Sequence, residues 1–289
     1  MTTADDEAEI EASRAPLMEH LVELRRRLII CLIGLGIGFV ISFIYATELL
    51  HFLLHPFAVA QSLSELRKAN GGQANSLDML MALLGQHAAG GAAKFISTAP
   101  LEVFFEKVKL AGFGAIIIAF PVVATQLYRF VAPGLYRRER NAFLPFLLAA
   151  PVLFLMGAAL VYFLILPFVL WFSLNQQILG GPGDVSVELL PKLSDYLSLV
   201  TTLVLAFGLC FQLPVVLSLL GMAGLVTSRM LIRSWRYAVV GVFAVAAVIT
   251  PPDPISMFAL ALPISLLYFA SIVCVRLIDG RRAKDSAAA

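Results

Sequence analysis

Charge is scarce in this chain. Asp, Glu, Lys and Arg make up only 14% of its 289 residues, while hydrophobic residues make up 60% and mean hydropathy reaches +0.90. Soluble domains carry about a quarter charged residues, so a water-exposed globular fold is excluded, and no nucleic-acid partner is expected. Cysteine is nearly absent. Cys31, Cys210 and Cys274 all fall in apolar runs, where they act as small core hydrophobes rather than disulfide partners. Histidine is equally thin: His51 and His55 lie at i, i+4 with no third ligand, and His20 and His87 stand apart, so no metal site is expected. Phosphate-binding glycine loops and nucleophile elbows are missing too, since Gly112-Phe113-Gly114 lies inside an apolar run. These gaps point away from an enzyme and from any cofactor. The first 27 residues are acidic and then basic, without a short apolar region or a small-residue cleavage site, so the first apolar run is expected to stay as an anchor.

Long apolar runs are abundant. A helix needs about 20 mostly apolar residues to cross roughly 30 Å of hydrocarbon, where unpaired backbone groups find no water. Six runs qualify as spans: Leu28–Tyr45, Val108–Leu127, Phe143–Leu166, Tyr196–Leu220, Trp235–Ile249 and Ile255–Val275. The chain is therefore expected to be an all-α polytopic membrane protein with six transmembrane helices and both termini on one side. Arg14, Arg25, Arg26 and Arg27 precede the first span. Arg129, Arg137, Arg138 and Arg140 lie in the second connection, Arg229, Arg233 and Arg236 in the fourth, and Arg276, Arg281, Arg282 and Lys284 after the last. The other face has only Arg67, Lys68, Lys94, Lys107, Lys109 and Lys192, so the positive-inside bias places both termini in the cytoplasm. Prolines 121, 145, 151, 167, 214 and 263 lie in or beside the spans, and the kinks they impose favour a curved, scaffold-like bundle.

The domain reading follows. Residues 1–27 form a tail and amphipathic helix, 28–275 a membrane domain, and 276–289 a second cytoplasmic tail. The outside loop 46–107 has a Gly, Ala, Gln and Ser-rich portion at 61–93, which reads as a flexible insertion, while His51–Phe57 and Ile96–Phe105 are apolar enough to pack. Ser194-Asp195 offers an N-cap to the fourth span. The fifth span is short: its fifteen residues rise about 22 Å, less than the hydrocarbon thickness, which implies a locally thinned bilayer or support from neighbours.

Charge gathers at two junctions. Leu17, Leu21, Leu24 and Leu28 make one apolar stripe, with Glu19, Glu23, Arg26 and Arg27 on the remaining surface, which describes an amphipathic helix leading into the first span. Glu23 and Arg27 are placed to pair at i, i+4. The second cluster, Ala132 to Asn141, carries Glu139 among three arginines on the same face.

Several motifs in order resemble one family: HLVELRRRL (His20 to Leu28), FFEKVKL (Phe104 to Leu110), FPVVATQLYRFVAPGLYRRERN (Phe120 to Asn141), FQLPVV (Phe211 to Val216) and ITPPD (Ile249 to Asp253). They look like the TatC family, the signal-peptide receptor subunit of the twin-arginine protein translocase. The resemblance implies that Glu23 and Glu139 form a cytoplasmic patch for paired arginines, that Arg25 helps order the amphipathic helix and that Phe130 belongs to the recognition loop. It also places Pro56 and Asp253 in outer regions important for assembly. Guanidinium–carboxylate geometry agrees, because a planar fork distinguishes arginine from lysine. One departure is Gln212, where the family often has a glutamate. A glutamine hydrogen-bonds but cannot titrate, and either a partner helix, a wet groove or an internal helix-to-helix bond could engage it.

The resemblance further implies export of folded precursors across the inner membrane, driven by proton motive force. The expected partners are twin-arginine signal peptides, TatB-like and TatA-like single-span subunits, further copies of the chain and membrane lipid. The competing class is a small-solute transporter or channel subunit. Conduction leaves ionisable groups deep in spans, and here charges gather at span ends, which favours surface recognition.

Overall fold

Hydrocarbon offers backbone groups no partner, and most of the described chain answers with helices. The computed structural model describes residues 3–69, 95–97, 99–131, 144–174, 191–250 and 254–287. The helices are α1 (Thr3–Ile44), α2 (Ala46–Ala69), α3 (Glu102–Val131), α4 (Leu144–Leu160), α5 (Leu166–Leu174), α6 (Leu193–Cys210), α7 (Leu213–Met222), α8 (Ser228–Ile249) and α9 (Pro254–Ala287), with a π-helical turn at Val161–Ile165. Among the described residues, six helical segments are long and apolar enough to cross a membrane: Leu21–Ile44, Glu102–Phe130, Leu148–Leu174, Leu193–Met222, Ser228–Ile249 and Met257–Gly280. The all-α, six-span reading stands.

Several boundaries differ from the sequence reading. The fifth span is not short, for α8 has 22 residues and rises about 33 Å, enough to cross without thinning the bilayer. Its first turns carry Arg229 and Arg233, which an apolar-run criterion cuts away although long side chains let such residues reach water from a helix end. Ser194-Asp195 lies inside the first turn of α6, whose N-cap position is Lys192 with no side-chain cap. The Leu193 amide instead donates to the Ile96 carbonyl at 3.2 Å, while the Ile96 amide donates to that of Pro191 at 3.2 Å. Helix α2 runs to Ala69, so 61–69 of the segment expected to be loose is helical, with Ser62, Leu63 and Ser64 buried; 70–93 lies outside the described residues.

The chain divides into two compact units. One comprises Met1–Ile44 with Ala111–Pro151, the other Tyr45–Leu110 with Val152–Ala289. In the first, α1 meets α3 through small residues. A Cβ built on Gly38 would lie 3.0 Å from the Ala115 carbonyl oxygen, and one on Gly34 would lie 3.4 Å from Val122.

In the second unit, prolines dictate the packing. Pro56, buried within α2, has no N–H for the carbonyl of Phe52, four residues earlier. The Tyr162 hydroxyl donates to that carbonyl at 2.6 Å, and the Tyr196 hydroxyl donates to the neighbouring Leu53 carbonyl at 2.6 Å. The rings pack as the bonds require: Phe52 stacks on Tyr162 at 4.3 Å, and Phe57 meets Tyr196 edge-on at 5.7 Å. Pro167 likewise cannot serve the Phe163 carbonyl, and the helix widens into the π turn just before it. Pro214 cannot serve Cys210, where α6 ends. At the far end of this unit Thr227 accepts from the Met230 amide, Asp279 on α9 accepts from the Ser228 amide at 2.9 Å, and the Tyr268 hydroxyl donates to the Leu231 carbonyl.

Tight backbone contact elsewhere tolerates no added carbon. A Cβ on Gly157 would fall 2.8 Å from the Phe207 carbonyl oxygen, whereas one on Gly36 would meet nothing within 4 Å. Gly157→Ala is therefore expected to cost roughly 1–3 kcal/mol, and Gly36→Ala to stay within about 0.5 kcal/mol of the parent, as measured by thermal unfolding in detergent.

Candidate functional site

One turn beyond the Gly34–Val122 contact, the small residues give way to Ile30 and Gln126, and a recess of about 220 Å³ opens between α1 and α3. It is lined by Glu23, Arg26, Arg27, Ile30, Gln126 and Arg129. Helical periodicity selects them: positions 23, 26, 27 and 30 share one face of α1, and 126 and 129 share one face of α3. Arg129 sits in the last turn of α3, where the carbonyl end of the helix favours a cation.

Glu23 is the carboxylate of this recess. Arg27 donates to its Oε1 through Nε at 3.1 Å and through a terminal guanidinium nitrogen as well, forming the i, i+4 ion pair that the spacing allows. The Glu23 side chain is 35% exposed and that of Arg27 18%, so the carboxylate stays within reach of an incoming group. Among the described residues, the lining therefore pairs one carboxylate with three guanidiniums.

The other expected site residues are distributed differently. Arg25 is exposed on α1 and outside the recess lining, and Phe130 is half-buried on α3, one residue past Arg129. Glu139 and Asp253 lie outside the described residues. Gln212 sits in the turn between α6 and α7, where its backbone N–H donates to the Leu209 carbonyl at 3.0 Å, and Pro56 is the α2 proline described above. The recess positions that motif reading did not single out, Gln126 and Arg129, belong to a helix about a hundred residues away in sequence, and their i, i+3 spacing was the available signal.

A second polar cluster occupies the first turns of α3, which the sequence reading had left outside the second span. Glu102 is buried and accepts from the Ala99 amide at 3.2 Å and the Ser97 hydroxyl at 3.4 Å, with the Lys192 ammonium 3.8 Å away. Glu106, 5% exposed, receives Lys109 at 2.8 Å, and Lys107 donates to Thr47 at 3.1 Å. The carboxylates are thus answered by nearby ammonium groups at one end of a helix, a structural tie of the loop before α3 to the start of α6. Among the described residues no three His, Cys, Asp or Glu gather closely enough to hold a metal ion.

Comparison with known proteins places this geometry. The family model for Sec-independent protein translocase protein (TatC) matches residues 19–263. A protein of that description from Magnetococcus marinus is 38% identical over 275 residues, covering 95% of this chain and 89% of its own length. Another from Rickettsia prowazekii is 33% identical, covering 91% and 94%. Among solved structures, a crystal structure of the twin-arginine translocase receptor TatC superposes with a TM-score of 0.67 at 32% identity over 89% of this chain and 98% of that one. A second, in DDM, gives 0.69 at 32% identity.

The partly exposed Glu23–Arg27 pair is expected to be weak in energy. A double-mutant cycle over Glu23→Gln and Arg27→Gln, read by thermal unfolding, should return a coupling of about 0.3–1 kcal/mol.

Proposed function

This chain belongs to the TatC family of Sec-independent protein translocase proteins, and on that premise we propose that it is the receptor and core scaffold of the twin-arginine translocation system. It binds twin-arginine signal peptides of folded precursors at the cytoplasmic face and nucleates a translocon driven by proton motive force. The observation that carries the reading is Glu23: a carboxylate on an open recess that already accepts a guanidinium. A precursor arginine offers the same fork, so docking is an exchange in which Arg27 yields its place. Exchange between like groups costs little, and it lets a bidentate arginine compete where a lysine ammonium does so poorly.

In this reading Glu139 provides the second carboxylate for the arginine pair, Arg25 orders the charged turn of α1, and Phe130 lies against the docked segment. Gln212, Pro56 and Asp253 serve assembly with TatB-like and TatA-like single-span subunits and with further copies of the chain. The apolar exterior supports such partners. On α8, Tyr237 is 82% exposed and Val248 87%, a surface suited to lipid or to another helix. Both termini face the cytoplasm, supported by the excess of Lys and Arg on that set of connections. The membrane is the inner membrane, and the chain has no catalytic chemistry of its own.

Crosslinking of a signal peptide to the purified complex tests the docking step. Glu23→Ala and Glu139→Ala should each weaken binding by roughly tenfold or more, the effect of a lost charge-assisted hydrogen bond. Unchanged crosslinking and export in both variants would overturn the assignment. Topology is read separately: cysteines placed at position 3 and position 286 should react with a membrane-impermeant thiol reagent only from the cytoplasmic side.

A further inference from the structure

The recess has more positive charge than its one carboxylate can answer. Arg27 is engaged by Glu23. Arg26 and Arg129, both exposed on the same recess, have no ion-pair partner among the described residues. Two guanidiniums facing one small volume repel each other, and an anion placed between them removes that repulsion while accepting from both forks. Gln126 adds an amide that can also donate.

What kind of anion fits is decided by where the recess sits. It opens at the charged end of two membrane-spanning helices, and its lining includes Ile30, where the apolar part of this α1 face begins. On the same side of α1 follow Ile33 and Ile37, each 57% exposed, and α3 contributes Val122, 37% exposed. An anion with acyl chains attached would seat its charge among the arginines and lay its chains along these residues. Basic pockets between transmembrane helices are a recognised setting for anionic headgroups. We propose that this recess holds the phosphodiester headgroup of an anionic membrane lipid.

The inference stands apart from the signal-peptide assignment, although the two fit together. A phosphodiester on Arg26 and Arg129 neutralises the charges that a cationic peptide would otherwise meet beside Glu23.

The test is native mass spectrometry of the full chain released from nanodiscs containing equal phosphatidylglycerol and phosphatidylcholine. The wild type should retain one phosphatidylglycerol in preference to phosphatidylcholine. Arg26→Gln with Arg129→Gln should lower that retention by about tenfold or more, while Arg26→Lys with Arg129→Lys should stay within about threefold of wild type. Arg229→Gln with Arg233→Gln removes equal charge from the exposed start of α8 and should change retention by less than about twofold. If the paired Gln variant fails to fold, Arg129→Gln alone is the test, with a loss of about fivefold expected. Equal losses from the two arginine pairs would mean general attraction to a charged surface and overturn the proposal. So would displacement of the lipid by millimolar inorganic phosphate, which would identify a site for a free anion, or the absence of any preference for phosphatidylglycerol.

Discussion

A carbonyl that loses its helical N–H partner within packed helices must find another donor, and that constraint organises the larger unit of this protein. Proline releases such carbonyls wherever it interrupts a helix. At Pro56 the answer comes from another helical segment, where the Tyr162 hydroxyl takes the Phe52 carbonyl, and the Tyr196 hydroxyl adds a bond to the neighbouring Leu53 carbonyl. Those bonds fix the rings, and the rings in turn set the packing around Phe57 and Leu53, both 1% exposed. At Pro167 the answer is local, a widening of the helix into a π turn. At Pro214 it is a break, with the chain stepping through Phe211 and Gln212 before α7 begins. Each proline thus yields a different local geometry because a different partner lies within reach.

The smaller unit meets the opposite problem. Its charges must stay at a helix end, near water, while the helices below approach closely. Gly34 and Gly38 allow the approach of α1 to α3, and the change to Ile30 and Gln126 opens the recess one turn further on. Glu23 then stands where it is held by Arg27 yet remains partly exposed. A weak, partly exposed pair suits a receptor, since a tightly buried ion pair would resist exchange and leave an unpaired charge behind when broken.

Much of this was legible beforehand, and the misses share a cause. The six apolar runs located the spans, but their ends were drawn at the first charged residues. A helix ladder depends on the backbone, so α3 starts at Glu102, whose buried carboxylate lies near Lys192, and α8 at Ser228, where Arg229 and Arg233 are exposed to water. The supposed shortness of the fifth span came from that cut alone. The Glu23–Arg27 pair was readable because its spacing is local. Arg129 and Gln126 were not readable as its neighbours, because nothing in their own stretch of sequence reports which face of α1 they approach.

By itself, the sequence determined that this chain crosses a membrane six times as helices and that its charges collect at the helix ends. Both follow from local quantities: the transfer of a run of side chains into hydrocarbon sums along about twenty residues, and helical spacing fixes which of them share a face. Only the tertiary structure decided that Tyr196 would reach Leu53, and that Arg129 would join Glu23, Arg26 and Arg27 around one recess. Those meetings bring together residues about a hundred or more apart in the chain, and they depend on how closely helices can approach, which small residues and freed carbonyls settle in three dimensions.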